Sequence, residues 1–261
     1  MKKLILALAA LAISVPAIAE EQFSMSTGFD YSTGKYGTAT STDILYIPVI
    51  GKYQSDSLTF KLTVPYLSVT GTGNVVPGVG PLPMSMGTPL AIGNPTNSTK
   101  STTNSGVGDV TASVGYNVYD GETISFDLFG NVKFGTADVN KGLGTGKNDY
   151  SAQLDGYYSL SSTTLFATAG YKIYGAPAGV NLNSVPYGSI GISQKISNES
   201  SVGIMLDMLQ SPSATGADQK DVTAYISQKF TPHFKVQVNA MKGFSNGSPD
   251  FGGGAMITGI F

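Results

Sequence analysis

Residues 106–135 read GVGDVTASVGYNVYDGETISFDLFGNVKFG. In the first half Val110, Ala112, Val114, Tyr116 and Val118 share one phase, while Asp109, Thr111, Ser113 and Asn117 share the other. After Asp120-Gly121-Glu122 the pattern repeats, with Ile124, Phe126, Leu128, Val132 and Phe134 set against Ser125, Asp127, Asn131 and Lys133. Period-two alternation puts each set on its own face of an extended strand, so this is an antiparallel hairpin with one apolar and one polar face. Each run covers about 11 to 13 residues, whereas soluble strands usually have ~5 to 6 and a tilted membrane-spanning strand needs ~9 to 11. The length therefore favours a membrane barrel over a soluble sandwich.

Outward from the hairpin the same pattern recurs, and twelve strands are expected, near 23–31, 44–54, 58–69, 106–118, 124–134, 149–160, 164–174, 187–196, 201–209, 221–230, 234–244 and 251–261. In the third, Leu58, Phe60, Leu62, Val64 and Tyr66 point one way and Thr59, Lys61 and Thr63 the other. The second is ambiguous in phase, and its Ile44-Leu45 and Val49-Ile50 pairs point to a bulge. Pro48 and Pro65 each remove a ladder donor. Short turns near 56, 121, 161, 198 and 232 alternate with longer Gly/Ser/Asn-rich connections. That asymmetry is the mark of an all-β, antiparallel up-and-down outer-membrane barrel with short periplasmic turns, and an even strand count returns both termini to that side.

Composition agrees. Residues 1–19, MKKLILALAALAISVPAIA, have a basic start, a short apolar run and a small-residue end, so they read as a secretory signal peptide ahead of a barrel over 20–261. No stretch approaches the ~20 apolar residues of a membrane helix. Charged residues make up 12% of the chain, about half the ~25% usual in soluble domains. Strands with one face in lipid and one in water average to such a text. Subtracting Lys2 and Lys3 from 15 leaves 13 lysines against 17 acidic groups, a net charge near −4. The absence of arginine removes the usual bidentate phosphate reader and argues against nucleic acid as a partner. The absence of cysteine rules out disulfides and thiolate chemistry.

A lysine facing mid-bilayer lipid costs ~2 to 4 kcal/mol, so charge phase identifies the lumen. Asp127 with Lys133, Asp149 with Asp155, and Asp221 with Lys229 all lie opposite the apolar phase of their strands. The expected pore-lining charges are Asp109, Asp127, Asp149, Asp155, Asp207 and Asp221, balanced by Lys61, Lys133, Lys172, Lys195, Lys229 and Lys235, rather than paired catalytic carboxylates or a cation site. Inward charges of both signs on facing strands make a transverse field that sizes and orients a solute. Phe129, Tyr157, Phe166, Tyr174, Tyr187 and Tyr225 share the lumen phase and offer rings to an aromatic solute. Lys242 is out of phase and is expected at the outer rim. Aromatics near strand ends, Tyr119, Tyr158, Phe230, Phe234 and Phe261 on the turn side and Tyr31, Tyr66, Tyr150 and Tyr171 on the loop side, are expected to form two interfacial girdles.

Residues 70–105 are a different text, holding five of the 13 prolines. They read as one long Pro/Gly-rich extracellular loop. Val75, Val79, Leu82, Met84, Met86 and Leu90 make its first part apolar. That part is expected to fold over the mouth, as a constriction or as a landing surface for apolar solutes.

Val64-Pro65-Tyr66 closing the third strand, Gly106-Val107-Gly108-Asp109 opening the fourth, and Gly142-Leu143-Gly144-Thr145-Gly146 leading to Asp149-Tyr150 stand in an order that resembles the outer-membrane transporters named for the MetA pathway of phenol degradation. The resemblance runs from about Ile44 to Tyr174 and more weakly to the C-terminus. It departs from the family where Phe134-Gly135-Thr136 replaces a Pro-Thr-Gly and in the proline-rich loop. It implies a barrel passing small hydrophobic or aromatic compounds, and it carries over no catalytic or binding residues.

Enzyme chemistry has little to work with. The chain has one histidine, His233, in a turn beside Pro232, and most nucleophile and acid-base designs need a positioned histidine. Neither the GLGTG run nor Gly252 to Gly254 is followed by Gly-Lys-Ser/Thr, so neither is a phosphate loop. The sequence thus implies a passive channel for small, hydrophobic or aromatic solutes. No catalytic residue, cofactor or metal is expected, and its partners are the outer-membrane bilayer and a small-molecule solute. The alternative is a structural or surface-contact barrel with a plugged lumen whose long loop binds a partner. Strand patterning carries no signal for oligomeric state.

Overall fold

The computed structural model describes residues 21–73, 75–77, 90–91, 101–214 and 216–261. Residues 1–19, expected to be a signal peptide, and most of the apolar loop segment, including Val79, Leu82, Met84 and Met86, lie outside the described residues. Twelve antiparallel strands close into a barrel: β1 (Gln22–Gly34), β2 (Thr42–Ser55), β3 (Leu58–Gly71), β4 in two parts (Thr102–Val107 and Thr111–Asp120), β5 (Ile124–Lys133), β6 (Asp149–Leu160), β7 (Thr163–Ile173), β8 (Val185–Lys195), β9 (Ser200–Leu209), β10 (Gln219–Thr231), β11 (Phe234–Gly243) and β12 (Phe251–Ile260). Each strand pairs with its neighbours in sequence, and β1 pairs with β12 to close the ring. Closure leaves no strand edge unpaired.

The exposure pattern is the inverse of a soluble protein's. Outward-facing Leu62 and Val114 are each 50% exposed and Ile190 56%, while inward-facing Lys133 is 6% exposed, Asp149 4% and Thr223 1%. Burying charge while presenting aliphatic side chains outward is favourable only where the outer solvent is lipid. All nine girdle aromatics point outward, and at the turn end Phe23 lies against Phe261 and Phe230 against Phe234 at 6.0 Å between ring centroids. Lys242 is exposed one residue from the loop end of β11.

Two strands differ from their sequence reading. β2 has no bulge: its ladders to β1 and β3 each keep one register along their length. The ambiguity arises because the inner face of β2 is itself apolar, so alternation has no contrast there. The offset lies instead in β4, where Gly108, Asp109 and Val110 stand against Val64 and Pro65 of β3. Pro65 has no N–H to give β4, so the ladder is free to break at that point. Thr102–Val107, expected to be largely loop, is strand paired with Tyr66–Gly71. Its text, TTNSGV, has no alternation. Its neighbour β3 supplies the order that its own residues do not encode.

Candidate functional site

Twelve strands leave a lumen between the filled interior of an 8-stranded barrel and a wide porin channel. Here it holds a cavity of about 610 Å³. Its wall differs around the ring, and the difference begins with the β4 offset. In the first part of β4 Asn104 and Gly106 face inward, and in the second part Thr111 and Ser113 do so. The extra residue reverses the phase and turns both Gly108 and Asp109 into the lumen, buried. Gly108 fits because a β-carbon there would stand 2.7 Å from Leu67 Cδ1 and 3.0 Å from Pro65 Cγ.

Asp109 opens a chain of buried charges. Lys133 Nζ donates to Asp109 at 2.7 Å and lies 3.1 Å from Asp149, whose carboxylate is 3.7 Å from Lys172 Nζ. Lys172 also sits over the Tyr174 ring, 4.4 Å from its centroid. Burial pushes the Tyr174 phenol up, so it stays neutral. The second oxygens of the two carboxylates face loop backbone: the Ala137 amide donates to Asp109 and the Gly175 amide to Asp149. Satisfied on every side, these groups pin the 134–148 and 174–184 connections to the wall. They do so more than they act as free field charges.

Across from this chain the inner faces of β2 and β3 run from apolar to cationic. The facing pairs, from the loop end downward, are Ile44 with Val69, Tyr46 with Leu67, Pro48 with Pro65, Ile50 with Thr63, and Lys52 with Lys61. At the loop end the connections cap this stripe. Tyr36, Val75, Ala137 and Leu143 pack with Ile44, Leu67 and Val69 into one buried apolar cluster. Val75 belongs to a two-residue ladder, Val75–Val76 with Leu90–Ala91, which folds the start of the long loop inward. The Tyr36 hydroxyl is 2.6 Å from Ser32 Oγ, and burial pushes its phenol up, so it remains neutral.

Of the remaining candidates from the sequence, Lys61, Lys133, Asp149, Lys172, Tyr225 and Lys235 line the cavity. Lys195 and Lys229 are exposed near the turn end. Asp127 and Asp155 face each other across β5 and β6, and both are occupied. Asn117 donates to Asp127 at 2.7 Å, and Gln153 and Thr168 donate to Asp155 at 2.9 and 2.6 Å. Tyr157 stands opposite Phe166 on the inner wall, on β6 and β7. Four inward rings lie flat on cross-strand glycines: Phe129 on Gly115, Phe166 on Gly191, Tyr187 on Gly170 and Tyr225 on Gly203, where a β-carbon would collide with the ring. Each therefore has only one face left for a solute. Asp207 and Asp221 are paired directly across β9 and β10, and among the described residues neither Asp207 oxygen has a hydrogen-bond partner.

Sequence reasoning missed Asp30, Tyr46, Pro48, Ile50 and Lys52, all of which line the cavity. Asp30 was legible, since it shares the phase of Ser24, Ser26 and Gly28. The β2 set was not, because an apolar inner face beside an apolar outer face erases the period.

No catalytic constellation forms among the described residues. His233 is exposed in its turn with Nδ1 2.9 Å from the Ile260 carbonyl, and no group of three or more His, Cys, Asp or Glu is placed to hold a metal.

An apolar exterior, girdled ends and a charged, partly capped lumen define a transmembrane β-barrel of the outer-membrane type. The chain belongs to the family described as "Putative MetA-pathway of phenol degradation", whose model matches residues 21–258. No protein of curated function matches it. Among solved structures it is similar to the COG4313 outer membrane channel from Pseudomonas putida F1, at 11% identity and a TM-score of 0.66 over 94% of this chain and 97% of that one. It is also similar to the KdgM porin, at 9% identity and a TM-score of 0.54 over 90% and 98%. At such identities the likeness is one of fold.

Proposed function

We propose that the protein is a passive outer-membrane channel for small hydrophobic or aromatic solutes. The observation that carries this reading is the apolar stripe along the inner face of β2, continuous from the cap at Ile44 through Tyr46 and Pro48 to Ile50, in a lumen that elsewhere buries charged side chains. Inward apolar side chains do not help a water-filled pore pass ions, and they give an apolar solute a surface along the wall. Family membership and the folds of the COG4313 channel and the KdgM porin support it. The loop end faces outward in this reading, the 70–105 loop narrows the mouth, and transport follows the gradient with no cofactor and no chemical step. The second reading, a plugged barrel whose long loop binds a partner, draws on the cap of Tyr36, Val75, Ala137 and Leu143.

Planar-bilayer recording of the refolded protein beside a form lacking residues 75–94 separates the two. Steady single-channel current that rises on deletion is expected of a channel constricted by its loop. Silence from both forms, with heat-modifiable mobility proving that each is folded, rejects the aqueous channel in favour of the plug.

A further inference from the structure

The cavity offers two unlike surfaces to one small molecule. Tyr46, Pro48 and Ile50 of β2 and Met256 of β12 give it an apolar side. At the turn end of that side stand Lys52, Lys61 and Lys235, with Lys52 directly opposite Lys61. Like charges facing each other across strands are destabilising unless something else uses them. Among the described residues none of the three lysines lies within ion-pair distance of a carboxylate, since the short pairs all involve Lys133 or Lys172.

The carboxylates near this space are already hydrogen-bonded or ion-paired elsewhere. Asp30 accepts from Asn239 at 3.1 Å, Asp127 from Asn117, and Asp155 from Gln153 and Thr168. Asp149 is held by Lys133. The charges of Asp127 and Asp155 act on Lys52 and Lys61 through space, but among the described residues no carboxylate contacts the three ammonium groups, so their N–H donors are left to meet a solute. They are half-buried and not sealed, so a solute in the cavity reaches them.

We infer that the cavity is a binding site for a small amphipathic organic anion, an aromatic or short aliphatic carboxylate. Its apolar body lies along Tyr46, Pro48 and Ile50, and its carboxylate sits among Lys52, Lys61 and Lys235. This rests on the channel reading for its role in transport and refines it from hydrophobic solutes in general to those carrying one anionic group. About 610 Å³ suits such a molecule, since small-ligand pockets run from ~300 to 1,000 Å³. Hydroxyls of Thr63 and Ser227, also on the wall, complete a polar setting for the head group.

The test compares benzoate with benzyl alcohol, which keeps the ring and loses the charge. Calorimetric titration into the refolded full chain in neutral detergent is expected to show benzoate binding about tenfold more tightly, with the advantage shrinking as salt is raised. The triple variant Lys52→Gln, Lys61→Gln, Lys235→Gln is expected to bring benzoate down to the level of benzyl alcohol, its fold checked by heat-modifiable mobility. The single variant Lys61→Gln serves if the triple does not fold, with a loss of about threefold expected. Equal binding of the two ligands, no binding of either, or lysine variants that keep the benzoate preference would overturn the inference. Bilayer recording in a potassium benzoate gradient keeps the two readings apart. Benzoate binding without any current leaves the site standing and sinks the channel, whereas current without charge preference leaves the channel and sinks the site.

Discussion

Lys133 and Asp149 face each other directly across β5 and β6, with Nζ 3.1 Å from the carboxylate and both side chains sealed from solvent. Because Lys133 also holds Asp109 at 2.7 Å, one ammonium serves two buried carboxylates. Lys133→Met strands Asp109 and leaves Asp149 only its longer, 3.7 Å pair with Lys172, and removal of one partner from a buried charge pair costs ~3 to 5 kcal/mol. Urea titration of the folded, heat-modifiable band is expected to show a loss of that size, against less than ~0.5 kcal/mol for Lys141→Met on the exposed loop surface. A Lys133→Met barrel as stable as the wild type would mean that the chain of charges does not hold the loops.

The rings lying on glycines make a graded prediction. Gly115→Ala forces the Phe129 ring off the wall, which is expected to destabilise by ~1 to 3 kcal/mol as overpacking does. Gly130→Ala, on the outer face with nothing within 4 Å of the new carbon, is expected to be neutral. The displaced ring has only the lumen to enter, so single-channel current through Gly115→Ala is expected to fall. Matched behaviour of the two variants would refute the packing.

At Asp207 the expected direction is reversed. It faces Asp221 across the ladder, and its own oxygens have no hydrogen-bond partner among the described residues. Asp207→Asn removes the like-charge contact and supplies an N–H donor. A gain of about 1 kcal/mol in the same urea titration is expected. A loss there would show that the paired carboxylates serve a bound group.

Leu143 is the deepest residue of the cap, 1% exposed among Tyr36, Ile44 and Leu67. Leu143→Ala is expected to cost ~2 to 5 kcal/mol of stability and, by thinning the cap over the apolar stripe, to raise single-channel conductance. A destabilised barrel with unchanged conductance would place the solute path away from the cap.

Most of the architecture was legible in the chain text, because lipid outside and polar groups inside impose a period of two on most of the strands, β2 and the first part of β4 excepted. Leu58 to Tyr66 against Lys61 and Thr63, or Ile124 to Phe134 against Asp127 and Lys133, set phase, facing and approximate ends without any knowledge of neighbours. The candidate site was legible only in part. Asp127, Asp149, Asp155 and Lys61 were assigned to the inner wall from phase, but phase does not say which charge meets which. It could not distinguish Lys133, locked between two carboxylates, from Lys61, which stands beside another lysine.

By itself, then, the sequence determined a twelve-stranded barrel with an apolar outside, a polar inside, short turns at one end and long connections at the other. Alternation is local, and each strand that alternates declares its own faces. The tertiary structure alone decided that β2 and β3 turn apolar side chains inward, that the offset lies at Gly108–Asp109, and that Tyr36, Val75 and Leu143 from three separate connections meet in one cap. Those features depend on register between strands and on loops far apart in sequence meeting across the lumen. No period within a single segment records a relationship between two of them.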